Sequence, residues 1–224
     1  IAKREGFGNV LAEGVMRAAE HIGSDAPKFA IYAKKGIAPH THQLQGRLQA
    51  RLNFALSSSG SNESGLAGLS DATELGIEQP TDIFSPEQAA TFAAKTWGIR
   101  LQDHLVICSF TSGMSLKNLV ACLNAATGWD FTLTEAADVC RRSAILLRAF
   151  GFRHGFTPDQ EVPSSRMADA PVDGPLQGKG TIPNWGETIR RSYELMGWDK
   201  ETGKPLPETL KAVGLEHITG DLWG

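Results

Sequence analysis

Two side chains in this 224-residue sequence have types and settings suited to chemistry: Cys108 and Glu63. Cys108 ends the hexapeptide Asp103-His104-Leu105-Val106-Ile107-Cys108, just before Ser109-Phe110, where a helix should give way to a turn. A thiolate there suits a metal, but a thiolate-bound cluster takes about four ligands, and this chain offers one plausible candidate. On the residues alone, a core cysteine is therefore the competing reading. Glu63 lies in Ser57-Ser58-Ser59-Gly60-Ser61-Asn62-Glu63-Ser64-Gly65. A carboxylate desolvated on such a loop would have a raised pKa and serve as general acid or base. A solvated loop glutamate is the alternative.

Other motifs carry less. His40-Thr41-His42 pairs two imidazoles, but no carboxylate or cysteine stands at a supporting spacing, so a solvated loop is expected. Cys122 and Cys140 fall on apolar helix faces and read as small core hydrophobes. Gly174-Pro175-Leu176-Gln177-Gly178-Lys179-Gly180-Thr181 is one residue short of a phosphate loop, and Pro183 precludes the helix that should follow. Gly6-Phe7-Gly8 lacks the third glycine and the preceding strand of a dinucleotide fingerprint.

The elements that must position these groups are helical. Val10, Leu11, Val15, Ala18, Ala19 and Ile22 share a stripe, so one helix is expected over 9–22, stopped by Gly23. Phe29 to Tyr32 reads as strand-like, and 37–46 as a polar loop. A short helix then carries Leu48, Leu52, Phe54, Ala55 and Leu56. Ser85-Pro86-Glu87-Gln88 caps a helix expected to reach Leu105, and another runs from Ser115 to Ala126 before Gly128. Thr132-Leu133-Thr134-Glu135 is a capping box, opening a helix expected to face Ala136, Val139, Cys140, Ala144, Leu147 and Phe150 inward. Residues 157–183 read as irregular surface. Asn184 is expected to cap a helix to Met196, and a last one runs from Pro207 to Gly214. The fold class is mainly α, with little strand.

Composition bounds the function. Hydrophobic residues at 41% and charged residues at 21% suit a globular core, and a net charge of −3 gives no basic footprint for nucleic acid. No apolar run approaches the roughly 20 residues of a membrane span. Lys3, Arg4 and Glu5 stand where a signal peptide's apolar region would begin. Three scattered cysteines argue against a disulfide framework and for a reducing, cytoplasmic compartment. The opening at Ile1, directly into helical sequence, reads as a cut inside a longer polypeptide.

In order, several segments resemble the C-terminal portion of the tungsten-dependent aldehyde ferredoxin oxidoreductase family. They are Gly6-Phe7-Gly8-Asn9-Val10-Leu11-Ala12-Glu13-Gly14, Tyr32-Ala33-Lys34-Lys35-Gly36, Leu123-Asn124-Ala125-Ala126-Thr127-Gly128-Trp129-Asp130, Phe150-Gly151-Phe152-Arg153-His154-Gly155 and Tyr193-Glu194-Leu195-Met196-Gly197-Trp198-Asp199. The resemblance implies the end of a middle helical domain over 1–36 and a C-terminal helical domain over 37–224. It also implies a tungsten (or molybdenum) bis-pterin beside a [4Fe–4S] cluster, three of whose thiolates come from upstream, and a ferredoxin-like electron partner. By position, Asp103 and Ile107 fall in the pterin-contacting motif, and Cys108 would be both the fourth cluster thiolate and a neighbour of the pterin. Val106 replaces a family glycine for which close backbone approach to the pterin is one explanation. Glu63 stands where aldehyde-oxidising members carry a histidine, and Gly65 where some carry lysine. These departures resemble the branch containing the tungsten subunit of class II benzoyl-CoA reductases. The substrate expectation is thus an aldehyde, a carboxylic acid or an aromatic acyl thioester. The fragment alone is expected to be inactive, to hold no cofactor, and to expose a large apolar face. The rival readings are a non-catalytic helical assembly module without the metal site, and a small-ligand binding domain with a closed pocket.

Overall fold

The computed structural model describes residues 1–33, 36–38, 48–58, 72–82, 84–108, 115–180 and 184–224. His40, His42 and Glu63 lie outside the described residues. Those described are mainly helical, and in place of a sheet they have one isolated antiparallel bridge, Trp198 to Pro205.

The helix expected over 9–22 is two: α1 (Phe7–Leu11) and α2 (Val15–Ile22), broken at Gly14, whose φ of 88° lies outside helical space. Phe29 is not strand but the end of α3 (Ala26–Phe29). The extended residues after it pair with Ser164: the Ser164 N–H donates to the Tyr32 carbonyl at 3.0 Å, and the Tyr32 N–H donates to Ser164 Oγ at 3.1 Å. α4 spans Leu48–Leu56. α5 (Pro86–Thr96) starts as the sequence predicts, with Ser85 Oγ accepting from the Gln88 N–H at 3.3 Å.

α5 stops well short of Leu105. Trp97 leaves helical space with ψ 133°, Gly98 turns the chain at φ 75°, and the separate α6 covers Leu101–His104. Gly98 is required twice over. Its φ suits no other residue well, and a Cβ there would lie 2.6 Å from the Cβ of Ala144. α7 (Leu116–Thr127) begins with Ser115 Oγ and the Glu74 carboxylate accepting the Asn118 and Lys117 N–H groups, and ends at Gly128. α8 (Leu133–Arg153) opens with the expected capping box: the Glu135 N–H donates to Thr132 Oγ1 at 3.2 Å, and the Thr132 N–H donates to Glu135 at 2.8 Å. Two backbone-derived and hydroxyl bonds from Thr132 hold the Glu135 carboxyl below its ordinary pKa.

The segment expected to be irregular contains a 3-10 turn, Pro158–Glu161, and α9 (Ser165–Ala168). α10 (Trp185–Leu195) follows, but the Asn184 side chain makes no capping bond. α11 (Pro207–Ala212) and α12 (Thr219–Trp223) close the chain.

The larger core joins Leu52 and Leu56 of α4, Ala89, Ala93 and Trp97 from α5, Ile145 and Ala149 of α8, Trp185, Ile189 and Tyr193 of α10, and Trp198, Leu210 and Leu222. An ion pair is buried beside it. Arg148 Nη1 donates to Glu161 at 2.8 Å and its Nε to the Gly203 carbonyl at 2.8 Å, while the Tyr193 hydroxyl also binds Glu161. The guanidinium lies 3.9 Å from the Trp198 ring centroid and against Phe152, Phe156 and Tyr193. Burial, then the Glu161 charge, push the Tyr193 phenol well above its ordinary pKa.

Because Arg148 takes a buried position on α8, the inward face of that helix is rotated from the one expected. Ile145, Arg148 and Ala149 are buried, whereas Val139, Leu147 and Phe150 are 42%, 55% and 58% exposed. With Leu146 they form a second apolar stripe that nothing in the described chain covers. Among the described residues no helix is long and apolar enough to cross a membrane.

Candidate cofactor and cluster site

The Asp103 hexapeptide forms the end of α6 and the turn after it. The Ile107 N–H donates back to the Gln102 carbonyl at 2.8 Å, and the Val106 N–H to the Asp103 carbonyl at 3.3 Å. These two bonds are the Schellman pattern, which places the intervening residue in left-handed backbone and strongly favours glycine there. Here that residue is Val106, at φ 57° and 92% exposed. A β-branched side chain in this conformation is a genuine outlier, and at this exposure packing among the described residues does little to compensate it. The family glycine at this position thus has a local reason, the left-handed turn, besides the close pterin approach offered from sequence. Beyond the turn, Ile107 packs against the smaller core cluster formed by Ile99, Leu101, Leu116, Leu119, Ala136 and Cys140. Cys108, the next residue, is exposed. The turn anchors one side chain inward and presents the following thiol outward.

Asp103 is held in a fork. Arg100 Nε donates to Oδ2 at 2.7 Å and Nη2 to Oδ1 at 3.0 Å. Arg100 precedes Asp103 by about one helical turn, a spacing that is itself a signal in the sequence. Next to Asp103, His104 Nδ1 lies 3.0 Å from the Arg100 carbonyl, a distance that suits an Nδ1–H donor, and 3.8 Å from the Cys140 sulfur.

A cavity of about 270 Å³ opens here. It is walled by Trp97, Ile99, Ala144 and Leu147 and lined by Asn53, Arg100, Asp103 and His104. Among the described residues, Asn53 Oδ1 and Arg100 Nη1 are both buried without a hydrogen-bond partner. Such groups cost free energy unless something pairs them. The other two unpartnered buried atoms are the indole nitrogens of Trp185 and Trp198, outside this cavity. Asn53 gave no sequence signal, because a buried asparagine on an apolar helix looks like any other.

The remaining cysteines divide. Cys140 is buried, as expected, whereas Cys122 is exposed, because α7 buries Leu116, Leu119 and Val120 and Cys122 lies off that stripe. No group of three or more histidine, cysteine, aspartate or glutamate side chains is placed to hold a metal among the described residues. Any cluster at Cys108 therefore needs ligands from elsewhere. The glycine-rich run from Gly174 is a turn that satisfies itself, the Gly178 N–H donating to the Pro171 carbonyl at 2.9 Å and the Gln177 side chain to that of Val172 at 2.8 Å.

Two of the blocks that carried the resemblance have structural roles. Asn124 pairs both backbone groups of Phe131 at 2.9 Å, and Thr127 Oγ1 accepts the Trp129 N–H, together closing the turn between α7 and α8. Trp198 forms one wall of the Arg148 enclosure, and Asp199 accepts the Thr202 N–H at 2.8 Å.

Residues 1–215 match the family model described as aldehyde ferredoxin oxidoreductase, domains 2 and 3. A tungsten-containing aldehyde ferredoxin oxidoreductase of Pyrococcus abyssi is 31% identical over 224 residues, covering 97% of this chain and 36% of that protein. The aliphatic sulfonate oxidoreductase WOR-like subunit of Pyrococcus furiosus is 27% identical, covering 96% of this chain and 33% of its own length. The chain thus spans about a third of these relatives. Among solved structures, the active-site complex BamBC of benzoyl-coenzyme A reductase with 1,5-dienoyl-CoA shares the fold, with a TM-score of 0.69 at 17% identity, covering 98% of this chain and 38% of that one. The chain belongs to the aldehyde ferredoxin oxidoreductase family.

Proposed function

We propose that this chain forms part of a tungsten (or molybdenum) bis-pterin, iron–sulfur oxidoreductase, to which it contributes one cluster thiolate and one wall of the pterin site. The observation that carries this reading is the Cys108 turn. Its backbone keeps a left-handed conformation although valine disfavours it, and the thiol that follows is exposed.

The residues present fit a contributing role. One exposed thiolate suits one corner of a four-thiolate cluster, and the exposed Asp103 carboxylate, held by Arg100, suits a hydrogen bond to a heterocycle N–H. When bound, such a group supplies two-electron chemistry at the metal and single-electron traffic through the cluster. The chain's own tasks are narrower. Arg100 fixes the Asp103 carboxylate against the cofactor, Ile107 anchors the loop, and Cys108 ties the cluster to this fold. Glu63 is our candidate for handling a proton beside the metal, where a carboxylate in place of imidazole changes what can donate or accept. The uncovered stripe of α8 (Val139, Leu146, Leu147 and Phe150) is the seat we assign to the remainder of the enzyme.

An aldehyde, a carboxylic acid or an aromatic acyl thioester is the substrate class, with a ferredoxin-like electron partner. The test is elemental analysis of the full-length protein produced with tungstate: tungsten and iron in the ratio of one metal to one four-iron cluster support the reading. Protein without either metal would instead identify a helical assembly module.

A further inference from the structure

His104 has no task in the function proposed above, yet it is placed for one. It closes α6, is exposed, and lines the cavity beside Asp103. The ring is held at one nitrogen. Nδ1 lies 3.0 Å from the Arg100 carbonyl, one turn back on the same helix, and 3.8 Å from the buried Cys140 sulfur of α8. A carbonyl only accepts, so Nδ1 carries the hydrogen and the neutral ring keeps its lone pair on Nε2. Among the described residues Nε2 has no partner. The other ionisable groups lining the cavity are Arg100, Asp103 and Cys140. Arg100 and Asp103 are committed to each other, and Cys140 is shut in the core. Imidazole is the side chain whose charge ordinarily changes between about pH 5 and 8.

The reaction itself calls for such a group. Oxidising an aldehyde with water to a carboxylic acid releases two electrons and two protons, and reducing the acid takes both pairs back. Adding two electrons to the ring of an aromatic acyl thioester likewise takes up two protons. Glu63, a single carboxylate, handles one proton at a time. Ser57 and Ser58, which open the small-residue stretch carrying Glu63, line the same cavity as His104. Leu147 lines it too and belongs to the α8 stripe assigned to the remainder of the enzyme. Seating that remainder narrows the cavity's opening to bulk water, and a proton then needs a carrier. We propose, resting on the bis-pterin reading above, that His104 is the second proton carrier of the reaction. In the oxidative direction Nε2 takes a proton released in the cavity, the imidazolium gives it to solvent, and the neutral ring is restored, while both electrons leave for the ferredoxin-like partner. In the reductive direction each transfer reverses.

Full-length wild type and His104→Asn, made with tungstate, test it. Asparagine keeps an N–H where Nδ1–H stands, and so keeps the bond to the Arg100 carbonyl, but has nothing that titrates in place of Nε2. His104→Gln replaces it should the asparagine variant fail to fold. Metals are measured by elemental analysis and folding by thermal unfolding. Rates are followed with a viologen dye from about pH 5 to 8, using benzaldehyde, benzoate and benzoyl-CoA for the three substrate classes. A readout that needs neither metal nor turnover is acylation of wild-type His104 by diethyl pyrocarbonate, mapped by mass spectrometry against pH. His104 should be acylated at Nε2, faster as the ring becomes neutral. His104→Asn should unfold with the wild type and keep its tungsten and iron. It should lose about a hundredfold in kcat with KM little changed, and its rate should lose the wild type's dependence on pH over that range. A wild-type rate and pH profile in His104→Asn would overturn the proposal and leave the histidine as a cap on α6. So would loss of the metals from the variant, since the ring would then build the site, or a wild-type His104 that the reagent cannot acylate. A wild-type protein with neither tungsten nor iron would sink the bis-pterin reading and this inference with it, whereas a loaded wild type beside an unaffected variant sinks this inference alone.

Discussion

The two polar clusters near the core of this molecule have opposite bookkeeping. Around Arg148, the charges are matched: guanidinium, carboxylate and phenol bond one another, a carbonyl takes the remaining Nε–H, and aromatic rings shut out water. Around Arg100, a similar guanidinium holds the exposed Asp103 carboxylate with two of its nitrogens, and its third is buried without a hydrogen-bond partner among the described residues. A carboxylate enclosed with its arginine serves the fold, whereas one held by arginine at the surface stays available to a partner. One Arg–carboxylate pair is therefore a fastener, and we infer that the other presents its carboxylate to the cofactor.

Substitutions can break or sharpen that contrast. The largest effect should come from Glu161→Ala. It leaves the Arg148 charge buried and unmatched and should lower stability by about 3–5 kcal/mol, measured as the denaturant midpoint of the full-length protein. A loss no larger than that of a surface pair would mean that the fastener is not one. Next is Gly98→Ala, at the bend joining the two regions. Its methyl would overlap Ala144 and force a positive φ, for about 1–3 kcal/mol by thermal unfolding. An unchanged midpoint would show that α5 and α8 can separate freely. Smallest, and opposite in sign, is Val106→Gly. It relieves the left-handed strain at the Schellman turn and should stabilise by about 1–2 kcal/mol, without changing the iron content. Destabilisation would mean that the valine makes contacts beyond the described residues.

Parts of this were legible in the sequence, for identifiable reasons. The capping box at Thr132 and the serine cap at Ser85 were readable because each is a local device whose residues must stand at fixed spacing. The breaks at Gly14 and Gly98 were missed because apolar periodicity runs straight across them, and only tertiary packing shows that the helix ends. The inward face of α8 was misread for a related reason. That helix has two apolar stripes, and the partner that makes Arg148 the buried choice, Glu161, lies in a segment read as irregular surface. At the candidate site, Cys108 stood out by its position at a helix end, and Asp103 and Ile107 by the resemblance. Asn53 could not, because an orphaned amide is a property of its surroundings and not of its neighbours in sequence.

The central claim is that a sulfur on this fold completes a metal centre whose other ligands lie elsewhere. The most direct measurement compares iron content and low-temperature EPR of full-length Cys108→Ala with those of Cys122→Ala, a second exposed cysteine on the same fold. The first variant should lose the cluster or its native signal, and the second should keep both. Native iron content and an unaltered signal in Cys108→Ala would contradict it.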